Sequence, residues 1–330
     1  MVDSDRESRD QHPSGSKSEM VVRVCDFVVG LFAMALIVEV VRDGRADEPK
    51  TSLPRFTISA NRFGKGFELV SFDVIGNNVK RVETLPGGAA DPCWSRDGRR
   101  LLFTSAATGR SQIYVLDAVG GKPMNLTNSA NQEFQPCWSP DGTKVVFTSS
   151  RDGNHEVYVM DADGAGPLNL TRNAAFDSDP AWSPNGKRIL FGSNRQDGIR
   201  LYVIDADGGN VHQLVDRDLG GWVNAAWSPD GRQVLFGGAQ ADGTRQIFVA
   251  DADNGQGVEP LTEGAGFNGY PSWSEDGQYI AYVHFDRRFD QSPEGGKLMV
   301  LNLDTLTHTE IAPEGMRFGA SRIAWLPSSN

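Results

Sequence analysis

WSPDG, from Trp138 to Gly142, is the stretch that decides the fold, because close variants of it return along the chain. The variants begin at Trp94, Trp182, Trp227 and Trp273, and a sixth tryptophan, Trp325, has no such turn after it. Consecutive tryptophans of this column are 44, 44, 45, 46 and 52 residues apart. A period in the forties is typical of a propeller or a solenoid, in which each repeat is one small structural unit.

Each period divides into four short strands, which we name A to D. In one repeat they read QPCWS, KVVFTS, EVYVMD and PLNLT, and they begin at Gln135, Lys144, Glu156 and Pro167. These segments are rich in valine, threonine and aromatic residues, and Gly, Asp or Pro stands between them, as expected for strands and turns. Proline followed by Asp-Gly in WSPDG favours a tight hairpin between strands A and B.

The B strands carry consecutive apolar residues, such as Val145, Val146 and Phe147. A sheet with one face in water would alternate apolar and polar residues, so this pattern predicts sheets covered on both faces, like blades stacked around an axis. The tryptophans and an aromatic column in strand C are expected to fill the space between blades. The members of that second column are Tyr114, Tyr158, Tyr202 and Phe248.

The two ends of the repeat array complement each other. The B-strand position is filled six times, but the first B strand, at Arg55, has no tryptophan strand before it. The last tryptophan strand, which contains Trp325, has no B strand after it. We therefore predict a six-bladed β-propeller of four-stranded antiparallel blades over residues 55–330, with the ring closed by the C-terminal strand joining the N-terminal blade.

These columns together resemble the TolB-type repeat. WSPDG is followed by an aromatic-ended strand, an Ile/Val-Tyr-Val-x-Asp strand and a Leu-Thr strand, and the chain closes on AWLP. The resemblance covers about residues 55–330 and leaves out the α/β domain that precedes the propeller in TolB. It implies an exported protein of the periplasm, linked to the Tol–Pal envelope system, that binds an envelope lipoprotein through its propeller.

Residues 1–46 read as a disordered tail followed by a signal peptide. Phe27–Val38 is an unbroken apolar run of twelve residues, shorter than the roughly 20 residues of a membrane span but suited to a signal sequence. Cleavage is expected before Asp47, and residues 47–54 then form a linker to the propeller. The alternative is an uncleaved membrane anchor, which would be the only membrane contact.

The start of translation affects that prediction. Before Phe27 the acidic residues outnumber the basic ones, which is the wrong sign for a signal peptide, whereas a start at Met20 instead of Met1 leaves a positive segment. The mature protein is then predicted to be periplasmic or secreted.

The net charge of −11 argues against nucleic acid or an anionic membrane as the main partner, since both require cationic surfaces. Cys93 and Cys137 each precede a repeat tryptophan by one residue. We expect them to be small buried apolar groups on neighbouring blades, too far apart for a disulfide. We also expect a monomer.

The predicted binding surface is the face on which the D–A and B–C connections emerge. A mostly polar column, three residues before each tryptophan, varies while its neighbours repeat. The D–A connections add aromatic residues and the B–C turns add arginines, the residue types that dominate binding hot spots. We call the selected residues the collar: Asp91, Phe134, Gln135, Arg151, Phe176, Asp179, Arg195, Trp222, Asn224, Phe267, Tyr270 and Arg322.

Two alternatives remain open for the collar. The phenylalanines could fill gaps between blades, and the arginines could brace the turns. The connection His284–Lys297 is longer than its counterparts and is a further candidate for a functional loop.

The sequence favours a binding protein over an enzyme. It contains no Gly-x-Ser-x-Gly nucleophile elbow, no Cys/His metal-binding spacing and no phosphate-binding glycine loop. We therefore predict no catalytic residue, no metal and no cofactor, and a protein as the partner. The alternative is a glycan-acting lyase or hydrolase that uses the channel carboxylates Asp91 and Asp179.

Overall fold

The computed structural model describes residues 54–62, 67–82, 85–288, 291–292, 295–311, 313 and 316–327. The regular structure of this part of the chain consists of β-strands. The predicted tail and signal peptide, the cleavage site before Asp47 and residues 47–53 of the predicted linker lie outside the described residues. No helix within the described ranges is long and apolar enough to cross a membrane.

Four sheets contain four antiparallel strands each. The first contains β1 (Arg55–Arg62), β2 (Phe67–Asp73), β3 (Lys80–Arg81) and, beside β1, β24 (Met316–Trp325). The second contains β4 (Ala90–Trp94), β5 (Arg100–Ser105), β6 (Gln112–Asp117) and β7 (Met124–Asn125). The third contains β8 (Glu133–Trp138), β9 (Lys144–Ser149), β10 (Glu156–Asp161) and β11 (Leu168–Asn169). The fourth contains β12 (Asp177–Trp182), β13 (Arg188–Ser193), β14 (Arg200–Asp205) and β15 (His212–Val215).

The fifth sheet has eight strands and corrects the prediction of six separate four-stranded sheets. Its strands are β16 (Ala226–Trp227), β17 (Gln233–Ala239), β18 (Arg245–Asp251), β19 (Glu259–Pro260), β20 (Phe267–Trp273), β21 (Tyr279–Phe285), β22 (Lys297–Asn302) and β23 (Thr307–Ile311). They form two antiparallel runs, β16–β19 and β20–β23, joined by one parallel pair of residues, Arg245 and Phe267. The two runs are joined where the glycine-rich connection before β20 approaches β18. There the Arg245 amide nitrogen donates to the Gly266 carbonyl at 3.2 Å.

The core lies between neighbouring sheets, as an all-β propeller requires. Along β9, Val145 and Phe147 pack in one cluster with Leu102 of β5, whereas Val146 packs in another with Ile189 of β13. Both faces of β9 are thus buried, which confirms the interpretation of the consecutive apolar residues.

The C-terminal strand pairs with the first strand, as predicted. Phe56 of β1 lies opposite Trp325 of β24, and their rings are 5.2 Å apart between centroids. Ile58 lies opposite Ile323, after which the register shifts before Ala60. The first sheet is therefore built from residues more than 250 positions apart in the chain.

The WSPDG turn has a structural role in every repeat. The Ser139 hydroxyl donates to Asp141 Oδ1 at 2.6 Å and accepts from the amide of Lys144 at 2.9 Å, while Gly142 has a φ of 67°. The same bond, from a serine hydroxyl to an aspartate or asparagine two residues later, recurs in the other turns. The pairs are Ser95/Asp97, Ser183/Asn185, Ser228/Asp230 and Ser274/Asp276. The recurring Ser-x-Asp/Asn thus closes the A–B hairpin.

Candidate functional site

The polar column three residues before each tryptophan has an unusual backbone. Five members have left-handed φ values: 50° at Asp91, 52° at Gln135, 58° at Asp179, 45° at Asn224 and 58° at Tyr270. The sixth, Arg322, lies in β24. Four of the five coincide with register shifts in strand A, typical of β-bulges that re-aim a side chain. Non-glycine residues adopt this conformation at some cost, and such residues cluster at functional sites.

The structure brings three column members into direct contact. The Gln135 amide nitrogen donates to Asp179 Oδ1 at 2.5 Å, and the Asp179 backbone nitrogen donates to Gln135 Oε1 at 3.1 Å. The Asn224 amide nitrogen reaches the same Asp179 Oδ1 at 3.2 Å. These bonds link β8, β12 and the connection that leads into β16.

Arg322 ties the C-terminal strand into the same cluster. Its Nη2 donates to the Pro180 carbonyl at 3.0 Å, and its backbone nitrogen lies 3.5 Å from Asp91 Oδ1. The Asp91 amide in turn donates to the Ser321 hydroxyl at 2.8 Å. Burial raises the pKa of Tyr270, and the charges of Asp179 and Asp91 raise it further. All six column residues thus interact with one another, through hydrogen bonds or through nearby charges.

The two column carboxylates are hard to ionise. Burial raises the pKa of Asp91 and of Asp179 above the ordinary aspartate value, and the positive charge of Arg322 offsets part of that effect. The Asp179 side chain has no exposed surface, and its Oδ2 has no hydrogen-bond partner among the described residues. An ionised Asp179 therefore opposes folding.

Asp179→Asn is expected to gain stability relative to the wild type as the pH rises. Because the folded-state pKa of Asp179 is raised, its favourable contribution is complete below the unfolded pKa of about 3.8 and is lost as the pH rises through the folded pKa. Asparagine keeps an acceptor for Gln135 and Asn224 but never ionises. Urea unfolding of both proteins at several pH values between about 3 and 7, the range in which carboxylates titrate, measures the difference in unfolding free energy.

Asp141→Asn is the matched control for this prediction. The hydrogen bond from Ser139 lowers the pKa of Asp141, so this variant should instead lose stability relative to the wild type as the pH rises. A stability difference for Asp179→Asn that does not change with pH would contradict the placement of a desolvated carboxylate at position 179.

Two collar arginines have structural partners. Arg151 lies 3.0 Å from the buried carboxylate of Glu133 and stacks over the ring of Tyr158 at 4.7 Å. Arg195 repeats the arrangement one sheet later, with the buried Asp177 at 3.0 Å. Two roles were left open for these arginines, stabilising the turns or binding a ligand. Their ion pairs with buried carboxylates favour the structural role.

The collar aromatics form a chain across three D–A connections. Phe134 lies 5.3 Å from the ring of His155, which lies 4.4 Å from Phe176. Phe176 meets Trp222 edge to face at 5.6 Å, and 42% of Trp222 is exposed. The phenylalanines therefore pack between neighbouring repeats, and their chain ends at an exposed tryptophan. Phe267 lies apart from this chain, in β20 beside Tyr270.

Two cavities border the column. The larger, of about 450 Å³, lies towards the A–B hairpins and is lined by the repeat tryptophans other than Trp138 and by prolines such as Pro140 and Pro184. The smaller, of about 300 Å³, lies on the collar side and is lined by Trp222, Phe267 and Tyr270. Tyr270 and Asn224 border both cavities. Asp91 and Asp179 line neither of them.

Arg245 is a residue of this face that the sequence analysis missed. Its Nη1 donates to the Leu219 carbonyl at 2.8 Å, and its Nη2 donates to the carbonyls of Gly237, at 3.0 Å, and Trp222. It thereby fixes the loop that presents Trp222. One sequence feature could have indicated it, because the position directly before the repeated strand C motif varies from repeat to repeat. Its occupants are Ser111, His155, Ile199 and Arg245.

The prediction for the cysteines is confirmed in part: both thiols are free and pack against apolar clusters, but they are not fully buried. Cys93 and Cys137 are only half-buried, and both line the larger cavity. The Cys93 thiol donates to the Trp94 carbonyl and accepts from the Trp138 amide of the next sheet at 3.3 Å, and the Cys137 thiol donates to the Trp138 carbonyl at 3.6 Å. The innermost strands of neighbouring sheets converge near the axis, which brings equivalent positions closer than in the outer strands. Both thiols are free.

The long connection His284–Lys297 is described only in part, because residues 289–290 and 293–294 lie outside the described ranges. His284 Nδ1 donates to Asn268 Oδ1 at 2.8 Å, and His284 Nε2 lies 3.3 Å from Asp286 Oδ1. Of the described residues, no group of three or more His, Cys, Asp and Glu is placed to hold a metal ion.

Comparison with known proteins gives one family and several similar structures. The family described as the TolB beta propeller domain matches residues 58–218 and 174–317. TolB from Acinetobacter baumannii is 24% identical, with a TM-score of 0.69 over 83% of this chain and 67% of that chain. A candidate TolB from Agrobacterium tumefaciens is 21% identical, with a TM-score of 0.65 over 84% and 100% of the two chains.

A chain of the nidogen/laminin complex is 13% identical, with a TM-score of 0.65 over 84% of this chain and 99% of that chain. At these identities the similar structures show a shared fold alone. No curated protein sequence matches the chain.

Proposed function

Because the chain belongs to the TolB beta propeller domain family, we propose that it is a scaffold that binds a protein partner on the collar face. The observation that carries the proposal is Trp222, a large ring that is 42% exposed on a rigid support. Phe176 contacts the ring from one side, and Arg245 holds the Trp222 carbonyl. Aromatic anchors held in place before binding lose little conformational entropy, and they dominate protein interfaces.

Trp222→Ala is expected to weaken partner binding by at least about 2 kcal/mol, roughly thirtyfold, with little loss of stability. The partner is first captured from envelope extract with residues 47–330 as bait, and its affinity for each variant is then measured beside a melting curve. Leu306→Ala, which truncates an apolar residue that is 71% exposed and lies outside the collar, is the matched control. Unchanged affinity in both Trp222→Ala and Tyr270→Ala would remove the collar from consideration.

We propose further that the propeller has six blades in a closed ring, with the eight-stranded sheet acting as two blades. Its two runs share one parallel residue pair, and they pack face to face, since Leu235 of β17 and Ile280 of β21 belong to one buried cluster. The next cluster joins Ala281 of β21 to Phe56 of β1. The pairing of β24 with β1 then supplies the strand that closes the ring.

Export to the periplasm and a Tol–Pal-like envelope role are also proposals, supported by the family and by the apolar run Phe27–Val38. Cleavage before Asp47 would release residues 47–330 as a monomeric, soluble binding module. Mass spectrometry of the native protein tests this, since an intact Phe27–Val38 segment would show an anchor instead.

Catalysis by the channel carboxylates is the second candidate, since burial raises the pKa of both Asp91 and Asp179. A general acid must reach its substrate, however, and the Asp179 side chain has no exposed surface. Its one bonded oxygen accepts from Gln135 and Asn224, so the group is part of the network that joins the sheets. Asp91 is partly exposed, but like Asp179 it lines neither cavity beside the column, and binding without catalysis is the function that we propose.

A further inference from the structure

The collar-side cavity has a charge opposite to that of the protein. The chain carries a net charge of −11, yet Arg245 and Arg288 are the charged residues among the described residues that line this cavity. The larger cavity on the other side is lined by both signs, with Glu275 beside Arg96 and Arg322. Among the described cavities of the channel, the collar side is thus the one that favours an anion.

Arg245 lacks a bonded counter-charge. Its three hydrogen bonds from Nη1 and Nη2 all go to backbone carbonyls, those of Leu219, Trp222 and Gly237. Burial lowers the pKa of its guanidinium, and the nearby Tyr270 and Asp179 offset this only in part. A buried cation is stabilised by a paired anion, so a ligand carboxylate in the cavity would be attracted to it.

The remaining walls are aromatic. Trp222, Phe267, Tyr270 and Phe285 surround the 300 Å³ space, and glycines at 220 and 221 form part of its rim. A volume of this size admits one or two side chains, and aromatic walls favour a flat or apolar group. A cavity with arginine and aromatic walls suits an acidic residue next to an aromatic one.

We infer that this cavity binds a carboxylate of the protein partner that is carried beside an aromatic side chain. The inference rests on the proposed function, because it names the part of the partner that enters the collar. The carboxylate is either an aspartate or glutamate side chain or the C-terminal carboxylate of an aromatic residue, and both present the same chemistry to Arg245 and Arg288.

Four short peptides serve as probes: acetyl-Phe-Asp-amide, acetyl-Phe-Asn-amide, acetyl-Ala-Phe with a free carboxyl end, and the same peptide amidated. Binding to residues 47–330 is followed by the indole N–H resonance of Trp222, which is assigned by its loss in Trp222→Phe. Each acidic probe that fits should bind about tenfold more tightly than its neutral counterpart, and less tightly as salt is raised. The stronger of the two acidic probes identifies the source of the carboxylate.

Neighbouring arginines provide a matched pair of variants. Arg288 lines the cavity and Arg287 does not, although both side chains are exposed. Arg288→Gln should weaken the acidic probe about three- to tenfold, whereas Arg287→Gln should change its affinity by less than about twofold. Arg245→Lys keeps the charge and should bind the acidic probe better than Arg245→Met, with melting curves to show that both variants fold.

Equal affinity for the acidic and neutral probes, or equal effects of Arg288→Gln and Arg287→Gln, would overturn the inference. The two proposals fail in different ways. If the partner requires Trp222 but ignores Arg288→Gln and salt, the scaffold function stands and the carboxylate site is wrong. If the acidic probe binds as expected but the partner ignores Trp222→Ala, the carboxylate site stands and the collar is not the protein interface.

Discussion

Deletion of residues 321–330 is expected to abolish the cooperative unfolding transition of the propeller. The deletion removes the part of β24 that lies opposite Phe56, Thr57 and Ile58 of β1. It also removes Trp325, whose indole nitrogen donates to the Ser272 carbonyl at 3.1 Å, and Arg322, which reaches Pro180. The first sheet would then expose an unpaired edge at β1, and the two ends of the proposed ring would no longer be joined.

The control is deletion of residues 1–46, which should leave the melting curve nearly unchanged because the repeats begin at Arg55. Both truncated chains are compared with the wild type by circular dichroism during heating and in urea. Equal effects of the two deletions would contradict the ring-closure proposal.

Trp182→Ala is expected to cost about 3–5 kcal/mol of unfolding free energy, as truncations of buried aromatic residues do. Trp182 is 8% exposed and packs against Val146 of the preceding sheet and Ile189 of its own. Removal of the indole would leave a large cavity between two sheets. Urea unfolding at neutral pH measures the difference.

The same substitution at Trp222 is the matched control, because 42% of that residue is exposed and its removal should cost less than about 0.5 kcal/mol. A cost below about 1 kcal/mol at Trp182 would mean that the tryptophan column does not lie between the sheets.

The inner strands could be predicted from the sequence because they recur with the same chemistry. The predicted B strand Lys144–Ser149 coincides with β9, and Arg100–Ser105 coincides with β5. The outer D strands were predicted too long: PLNLT, residues 167–171, contains only the two residues of β11. An outer strand has a neighbour on one side only, so its residues form fewer ladder hydrogen bonds.

The polar column, three residues before each repeat tryptophan, could also be selected from the sequence, because it varies while the positions around it repeat. Arg151 was harder to interpret, since its partner, Glu133, lies in another strand 18 residues earlier. Either role for the arginine produces the same local sequence. The role of Arg245 depends on the approach of the loop that carries Leu219 and Trp222, which no local sequence pattern indicates.

The central claim is that a protein partner binds the collar face and not the opposite end of the channel. Amide hydrogen exchange of residues 47–330, with and without the captured partner, tests it most directly. We predict slower exchange on binding at residues 219–224 and 267–270, with no change at the A–B turns. Protection confined to the turns around Pro140, Pro184 and Pro229, which border the larger cavity, would contradict the account.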